Sequence, residues 1–419
     1  MSSVIKQFSL TDLSNLYRIA YGDFELDAAG WDHSELIGLI QKSSKFVGNR
    51  LEMAQLVDWG GGQSSGALPS SSTAYINRPV IFAQSVYATS VIDSQSMKAA
   101  RRAGSNLGAF MDATELSILT MKRSFADQVA RQFFGDGTGV LGVIGAVTVV
   151  SPGNYELTIT DATWLQAPWM LNDLLNIDVG TDLFLITNIN LTTQVITVSR
   201  QTGVQVPNVG QAIYKQKSRN NEMFGLKGVV EATVGQQLYG VPVGYRWGAQ
   251  TLDAAGQTLS VKLMRQLDQQ MRFWARGDLP TDYIMSATQL RLFEDNEDAK
   301  SIIYIQPEVS PERQAGSQVA AVKINGRTVR VHWSPYCQEG IMYAINRNKV
   351  HMYIRPDTAE GNDPGGFIEN GDSIFFPLQV SGTPLDSYGM FYATYANFYI
   401  NPTFTGVITN LATDSFTGG

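Results

Sequence analysis

Between Leu107 and Phe133 the apolar positions Leu107, Met111, Ile118, Met121, Phe125, Val129 and Phe133 follow one another at steps of three, four or seven. With 3.6 residues per turn these positions share one stripe, so the spacing predicts a long amphipathic helix starting near Ser105. Lys122, Arg123, Asp127 and Arg131 fall on the opposite, polar face. The run Gly135-Asp136-Gly137-Thr138-Gly139 should end the helix, because glycine readily takes the left-handed conformation that closes a helix end. A second stripe at Leu259, Leu263, Leu267, Met271 and Trp274 predicts another helix. Ser286 with Gln289 reads as a capping box that opens a third.

Elsewhere the pattern is that of strands. Short β-forming runs recur at Val147–Val150, Tyr155–Thr160, Leu183–Ile189, Gln194–Ser199 and Gln211–Lys215, with turn residues such as Pro152-Gly153-Asn154 between them. This predicts a small β-barrel or sandwich with its own core. Val322 to Val329 is a hairpin signal, since Asn325-Gly326 supplies the positive φ angles of a tight turn. Further strands are expected at Tyr283–Met285, Gly340–Ile345, Val350–Ile354, Ser373–Val380 and Met390–Ile400. Toward the N-terminus, Ser34 to Leu51 has apolar residues at roughly helical spacing. The run Gly60 to Ser72 is a flexible Gly/Ser tip, and Thr73 to Thr89 is extended chain. Pro79 cannot donate to a ladder and suits an edge or bulge. The chain reads as α+β with a largely β insertion.

Composition adds two constraints. At 419 residues the chain can hold two or three domains, and with 16% charged residues it is lightly charged for its size. Few solvating charges point to a surface partly covered by partners. A net charge of -7 is unlike that of a duplex-DNA binder with a basic stripe. The single cysteine, Cys337, leaves no internal disulfide framework and fits a reducing compartment. Met1 to Leu10 lacks the apolar core of a secretory signal, and no apolar run reaches the ~20 residues that span a bilayer.

Candidate chemistry is sparse. Gly62-Gln63-Ser64-Ser65-Gly66 matches a nucleophile elbow, but glycines and Pro69 with three serines flank it instead of a strand and a helix. Gly137-Thr138-Gly139-Val140-Leu141-Gly142 matches a dinucleotide loop, yet it follows a helix C-terminus, where the dipole repels phosphate. His33, His332 and His351 show no metal spacing. Cys337 and His332 are a conceivable thiol–imidazole pair. Glu294 to Asp298 reads as a solvated helix end, lacking the glycine of a calcium loop. Lys98, Arg101 and Arg102 form the one notable basic cluster. No catalytic, cofactor-binding or metal residue is assigned.

The order of these pieces resembles the major capsid (coat) proteins of tailed bacteriophages, with the Hong Kong 97-like fold. The resemblance rests on the long helix running into Arg131-Gln132-Phe133-Phe134-Gly135-Asp136-Gly137-Thr138-Gly139, preceded by the Gly/Ser-tipped extended loop. It continues through Phe224 to Val230, Leu259 to Phe293, and Met390 to Gly406. It implies an N-terminal arm over 1–52, an E-loop over 53–92 and a peripheral domain with its spine helix over 93–143. A β-rich insertion follows over 144–220, then a return over 221–250, an axial domain over 251–362 and closing peripheral strands over 363–419. The insertion is the departure from many relatives.

The implied function is a structural one: hexamers and pentamers of an icosahedral shell enclosing double-stranded DNA, held in the virion and assembled in the host bacterial cytoplasm. The expected partners are further copies of the chain, a scaffolding protein, a portal, decoration proteins and non-specifically contacted DNA, with no membrane and no cofactor. Tyr75, Arg78, Phe82, Arg101 and Arg102 are the expected inter-subunit contacts. One alternative is an encapsulin-like compartment around protein cargo. Another, of a different class, is a hydrolase using Ser64 or Cys337.

Overall fold

The long apolar stripe forms a helix, α1, Ala113–Phe133. The computed structural model describes residues 40–46, 48–58, 64–65, 75–93, 113–159, 169–190, 193–244, 246–275, 278–296, 320–355, 366–368, 375–380 and 383–413. The expected start of α1 near Ser105 lies outside them. Met121, Phe125, Val129 and Phe133, spaced four apart, are all buried. They pack on a six-stranded sheet built around Thr383–Ile400, an 18-residue strand about 60 Å long at the usual rise of about 3.3 Å per residue. Phe125 meets Tyr392 edge-on with ring centroids 4.9 Å apart, and Phe133 meets Phe398 at 5.2 Å. Gln84–Asp93 lines one edge of the long strand, while Val350–Ile354, Gly366–Phe367 and Phe375–Val380 share the other.

The polar face of α1 departs from the sequence expectation, since much of it is covered. Arg131 is buried and ion-paired with buried Glu222, and Asp127 accepts a hydrogen bond from the Tyr336 hydroxyl. Lys122 lies over the rings of Phe367 and Tyr392, at 5.6 and 5.7 Å. Burial pushes the Asp127 carboxyl up against the opposing pull of Lys215 and Arg131. The helix also ends differently. Phe134 and Gly135 donate to the carbonyls of Arg131 and Gln132, both at 3.0 Å, and the left-handed residues are Gly137 and Gly139, at φ 84° and 79°.

The insertion is a closed barrel of six strands: Val140–Ser151, Asn154–Ile159, Leu174–Ile177, Phe184–Asn190, Val195–Arg200 and Ala212–Lys215. Its first strand crosses the expected boundary at 144. Leu157, Ile159, Ile177, Phe184, Ile196, Val198 and Ile213 fill its interior as a cluster separate from the other cores. The return includes a short helix, α2, Leu226–Val230. Gly225 permits it, because a Cβ there would stand 2.3 Å from the Phe133 carbonyl oxygen.

A second six-stranded sheet takes, in spatial order, Gln250–Asp253, Thr405–Thr409, Met342–Ile345, Asp282–Met285, Arg327–Trp333 and Ala320–Ile324. The second stripe forms α3, Val261–Ala275, which packs on it through Leu263, Met264, Leu267 and Met271. Gly406 allows this approach, since a Cβ there would meet the Met271 sulfur at 2.7 Å. Both sheets draw strands from across the expected domain ranges: Val350–Ile354 joins the α1 sheet, and Thr405–Thr409 joins the α3 sheet. Ser286 caps α4, Ala287–Asp295, by accepting from the Gln289 amide at 3.2 Å. The reciprocal half of the capping box does not form, because the Gln289 side chain donates to Ala412 O at 2.8 Å instead. Asn325 and Gly326 take positive φ in the predicted hairpin.

The helical expectation over Ser34 to Leu51 is overturned where the structure describes it. Gln41–Ser43 pairs parallel with Val350–Ile354, and Arg50–Glu52 pairs antiparallel with Val80–Phe82. Hydrogen bonding to distant strands overrides the local helical spacing. Residues 1–39, with His33, lie outside the described set.

Candidate inter-subunit surfaces

The extended loop is a two-stranded arm. Gln55–Asp58 pairs with Tyr75–Asn77, with Leu56 opposite Ile76, and Arg50–Glu52 pairs with Val80–Phe82 nearer the body. Its base is tied down by Met53 N to Pro79 O at 3.1 Å, Val80 N to Tyr239 O at 2.9 Å and Asn397 Nδ2 to Phe82 O at 2.8 Å. Phe46, Ile81, Val241, Trp247, Tyr353 and Tyr399 form a small core beneath it. Pro79 lies between strands, in keeping with its missing donor.

The arm, its base and the strand that follows expose apolar side chains. Leu56, Tyr75, Ile76 and Phe82 are each between 51% and 57% exposed, and Tyr87, whose hydroxyl meets that of Tyr395 at 2.9 Å, is also half exposed. Leu56 and Ile76 stand opposite each other on the hairpin, and exposed apolar side chains gathered there make the arm a candidate interaction surface. Among the expected contact residues, Tyr75, Phe82 and Arg78 are exposed, with Arg78 in the connection between the two strands. Lys98, Arg101 and Arg102 lie outside the described residues. Leu56, Ile76 and Tyr87, exposed in the same way, were not among the residues expected from the sequence. The signal available was apolar residues on strands beside a Gly/Ser tip, with no second apolar element near enough in sequence to cover them.

The chemically suggestive residues have structural partners. The His332 Nε2 meets the Asp282 carboxylate at 2.9 Å, where Arg347 also pairs at 2.7 Å and the Thr281 hydroxyl donates at 2.5 Å. Burial works against the Asp282 carboxylate, but hydrogen bonds from His332, Thr281 and Arg347 outweigh it and hold the group below its ordinary range. Cys337 is buried, its sulfur 3.9 Å from Ile284 O, and burial with nearby Glu339 raises its thiol well above the ordinary value. The thiol and imidazole therefore serve separate contacts, and neither is set up as a nucleophile–base pair. Ser64 and Ser65 are exposed, while the rest of the elbow-like motif lies outside the described residues. His351 sits on a strand against Tyr353. Asp295 pairs with Arg291 at 3.7 Å. Among the described residues no cluster of three His, Cys, Asp or Glu could hold a metal, and no helix is long and apolar enough to cross a membrane.

No family model matches the sequence, and no curated protein matches it. Solved structures do. The capsid asymmetric unit of cyanophage A-1(L) is similar with a TM-score of 0.52 at 11% identity, covering 94% of this chain and 96% of that one. The capsid of a native GTA particle gives 0.47 at 10% identity, with 91% of each chain covered. The holo-SrpI encapsulin complex of Synechococcus elongatus gives 0.48 at 7% identity, with 96% of each chain covered. The first of these likenesses runs nearly end to end. The chain has the Hong Kong 97-like capsid fold, with a closed six-stranded barrel inserted after the long helix.

Proposed function

We propose that the chain is the major capsid subunit of a tailed bacteriophage, assembling as hexamers and pentamers into an icosahedral shell around double-stranded DNA. The observation that carries the reading is the exposed apolar arm on a capsid-type fold: Leu56, Tyr75, Ile76 and Phe82 are presented by a projection whose base is anchored in the body. A shell subunit needs many modest contacts that closure makes collectively strong, and an arm laid over a neighbour supplies them. Under this reading the chain is structural, not enzymatic. Its partners are copies of itself, a scaffolding protein, a portal and decoration proteins, and its place is the virion after assembly in the host cytoplasm. A net charge of -7 suits a lining along which packaged DNA can slide instead of sticking.

The test replaces Leu56 and Ile76 with aspartate. These positions are half exposed, so the unassembled subunit should keep its stability within about 0.5 kcal/mol. Assembly, followed by sedimentation with the scaffold co-expressed, should fail. Normal particles from the double variant would contradict the role given to the arm. The nucleic-acid content of mature particles separates this reading from an encapsulin-like compartment, which would hold protein cargo.

A further inference from the structure

The barrel has two unlike ends. The chain enters it at Val140 and leaves at Lys215, next to each other in register through the pairing of Val140 with Tyr214. At the far end lie the 151–154 hairpin, the 178–183 loop and the 200–211 loop. Hydrogen bonds hold these together: Arg200 N to Gly153 O at 2.7 Å, Gln201 N to Leu183 O at 2.7 Å and Asp178 N to Ala212 O at 2.8 Å. This far end carries Val149, Val150, Val179, Val204, Val206 and Val209, between 50% and 86% exposed. Six valines at such exposure amount to a few hundred Å² of apolar surface, the size at which a patch signifies contact with something else. The barrel does not need them for itself, since its interior is filled by another set of side chains.

Charge says what the contact is with. Within these three loops the charged residues are Asp178, Asp182 and Arg200. Asp182 accepts from the Gln205 amide at 2.6 Å, and the Arg200 guanidinium donates to Gln205 O at 3.0 Å, so both are spent inside the tip. What remains outward is valine with neutral amides and hydroxyls, and the half-buried Asp178 as the one charge not engaged in this way. A face that meets its own copy sets like charges opposite like, which repel, and this acidic chain has left little free charge at this one place. We infer that the distal tip of the barrel is a homotypic docking surface that binds the barrel tip of a second copy of this chain. The inference rests on the shell reading, in which many copies of the chain are held close to one another.

Cys337, the sole cysteine, is buried, so a Val204→Cys variant carries one accessible thiol per chain. Assembled particles of this variant, treated with a short bis-maleimide and run on a denaturing gel, should give mostly dimer. A companion variant, Val179→Asp with Val204→Asp and Val209→Asp, should leave subunit unfolding unchanged while particles dissociate at a lower denaturant midpoint. Particles that form normally yet give only monomer bands, or a triple variant with an unchanged dissociation midpoint, would overturn the docking surface and leave the shell reading standing. Unmodified protein that never forms particles would remove both.

Discussion

The buried pair of Arg131 and Glu222 ties the end of α1 to the segment leaving the barrel, and its removal gives a strong test of how the barrel is mounted. The two side chains are 8% and 3% exposed. Around them, Gln132 Oε1 accepts from the Met223 amide at 3.1 Å and Asn397 Oδ1 accepts from the Phe224 amide at 2.9 Å. Arg131 Nε has no hydrogen-bond partner among the described residues, so the guanidinium depends on Glu222 for most of its compensation. A Glu222→Ala change strands a buried cation and should cost about 3–5 kcal/mol. That is a large share of the 5–15 kcal/mol typical of a folded domain. Replacing both partners by apolar residues, Arg131→Met with Glu222→Leu, removes the charge as well as the pair. It should cost less than half of the single change. Urea unfolding of the unassembled subunit, followed by tryptophan fluorescence, measures each. The pair is shielded from solvent, so raising the salt to 0.5 M should move none of the differences appreciably. A single-variant loss under about 1 kcal/mol, or strictly additive losses in the double variant, would refute the account of the mount.

Four other outcomes are expected. Phe125→Ala empties the contact with Tyr392 beneath α1 and should cost about 3–5 kcal/mol in the same unfolding assay, whereas Phe82→Ser on the arm should cost the free subunit little and reduce assembly. Asp282 has a folded carboxyl value below the unfolded ~3.9. Its contribution is therefore present above that value and lost as the pH falls through the lower folded one. Asp282→Asn should lower the urea midpoint at pH 7 and flatten its fall toward pH 3, and parallel pH curves would contradict this. Gly406→Val drives a side chain into Met271 and Leu267 and should destabilise by about 1–3 kcal/mol, read as a lower thermal midpoint.

The elements legible in the sequence were those whose stabilising contacts are periodic and local. The stripe ending at Phe133, the stripe around Leu263 to Met271, the Asn325-Gly326 turn and five of the barrel strands all carry such a signal. What escaped depends on partners far along the chain. Gln250–Asp253 exists by pairing parallel with Thr405–Thr409, and Gln41–Ser43 by pairing with Val350–Ile354. Strands of three to five residues carry too little alternation to announce themselves. Leu174–Ile177, the missed barrel strand, is as short. Arg131 looked solvated for a related reason: its partner, Glu222, comes back beside it only after the whole barrel has been traversed. The exposure of the proposed contact surfaces was half legible. Tyr75 and Phe82, expected as contacts from their place on the arm, are exposed, while the valines of the barrel tip were read as strand and loop formers, because exposure is a property of the closed barrel and not of its strands.

The most direct test of the central claim is an electron-microscope image of the purified, overexpressed protein with its scaffold present. Closed particles of uniform diameter with five- and six-fold capsomers are the predicted result. A field of monomers or small oligomers without rings, at concentrations where the protein stays folded, would contradict it.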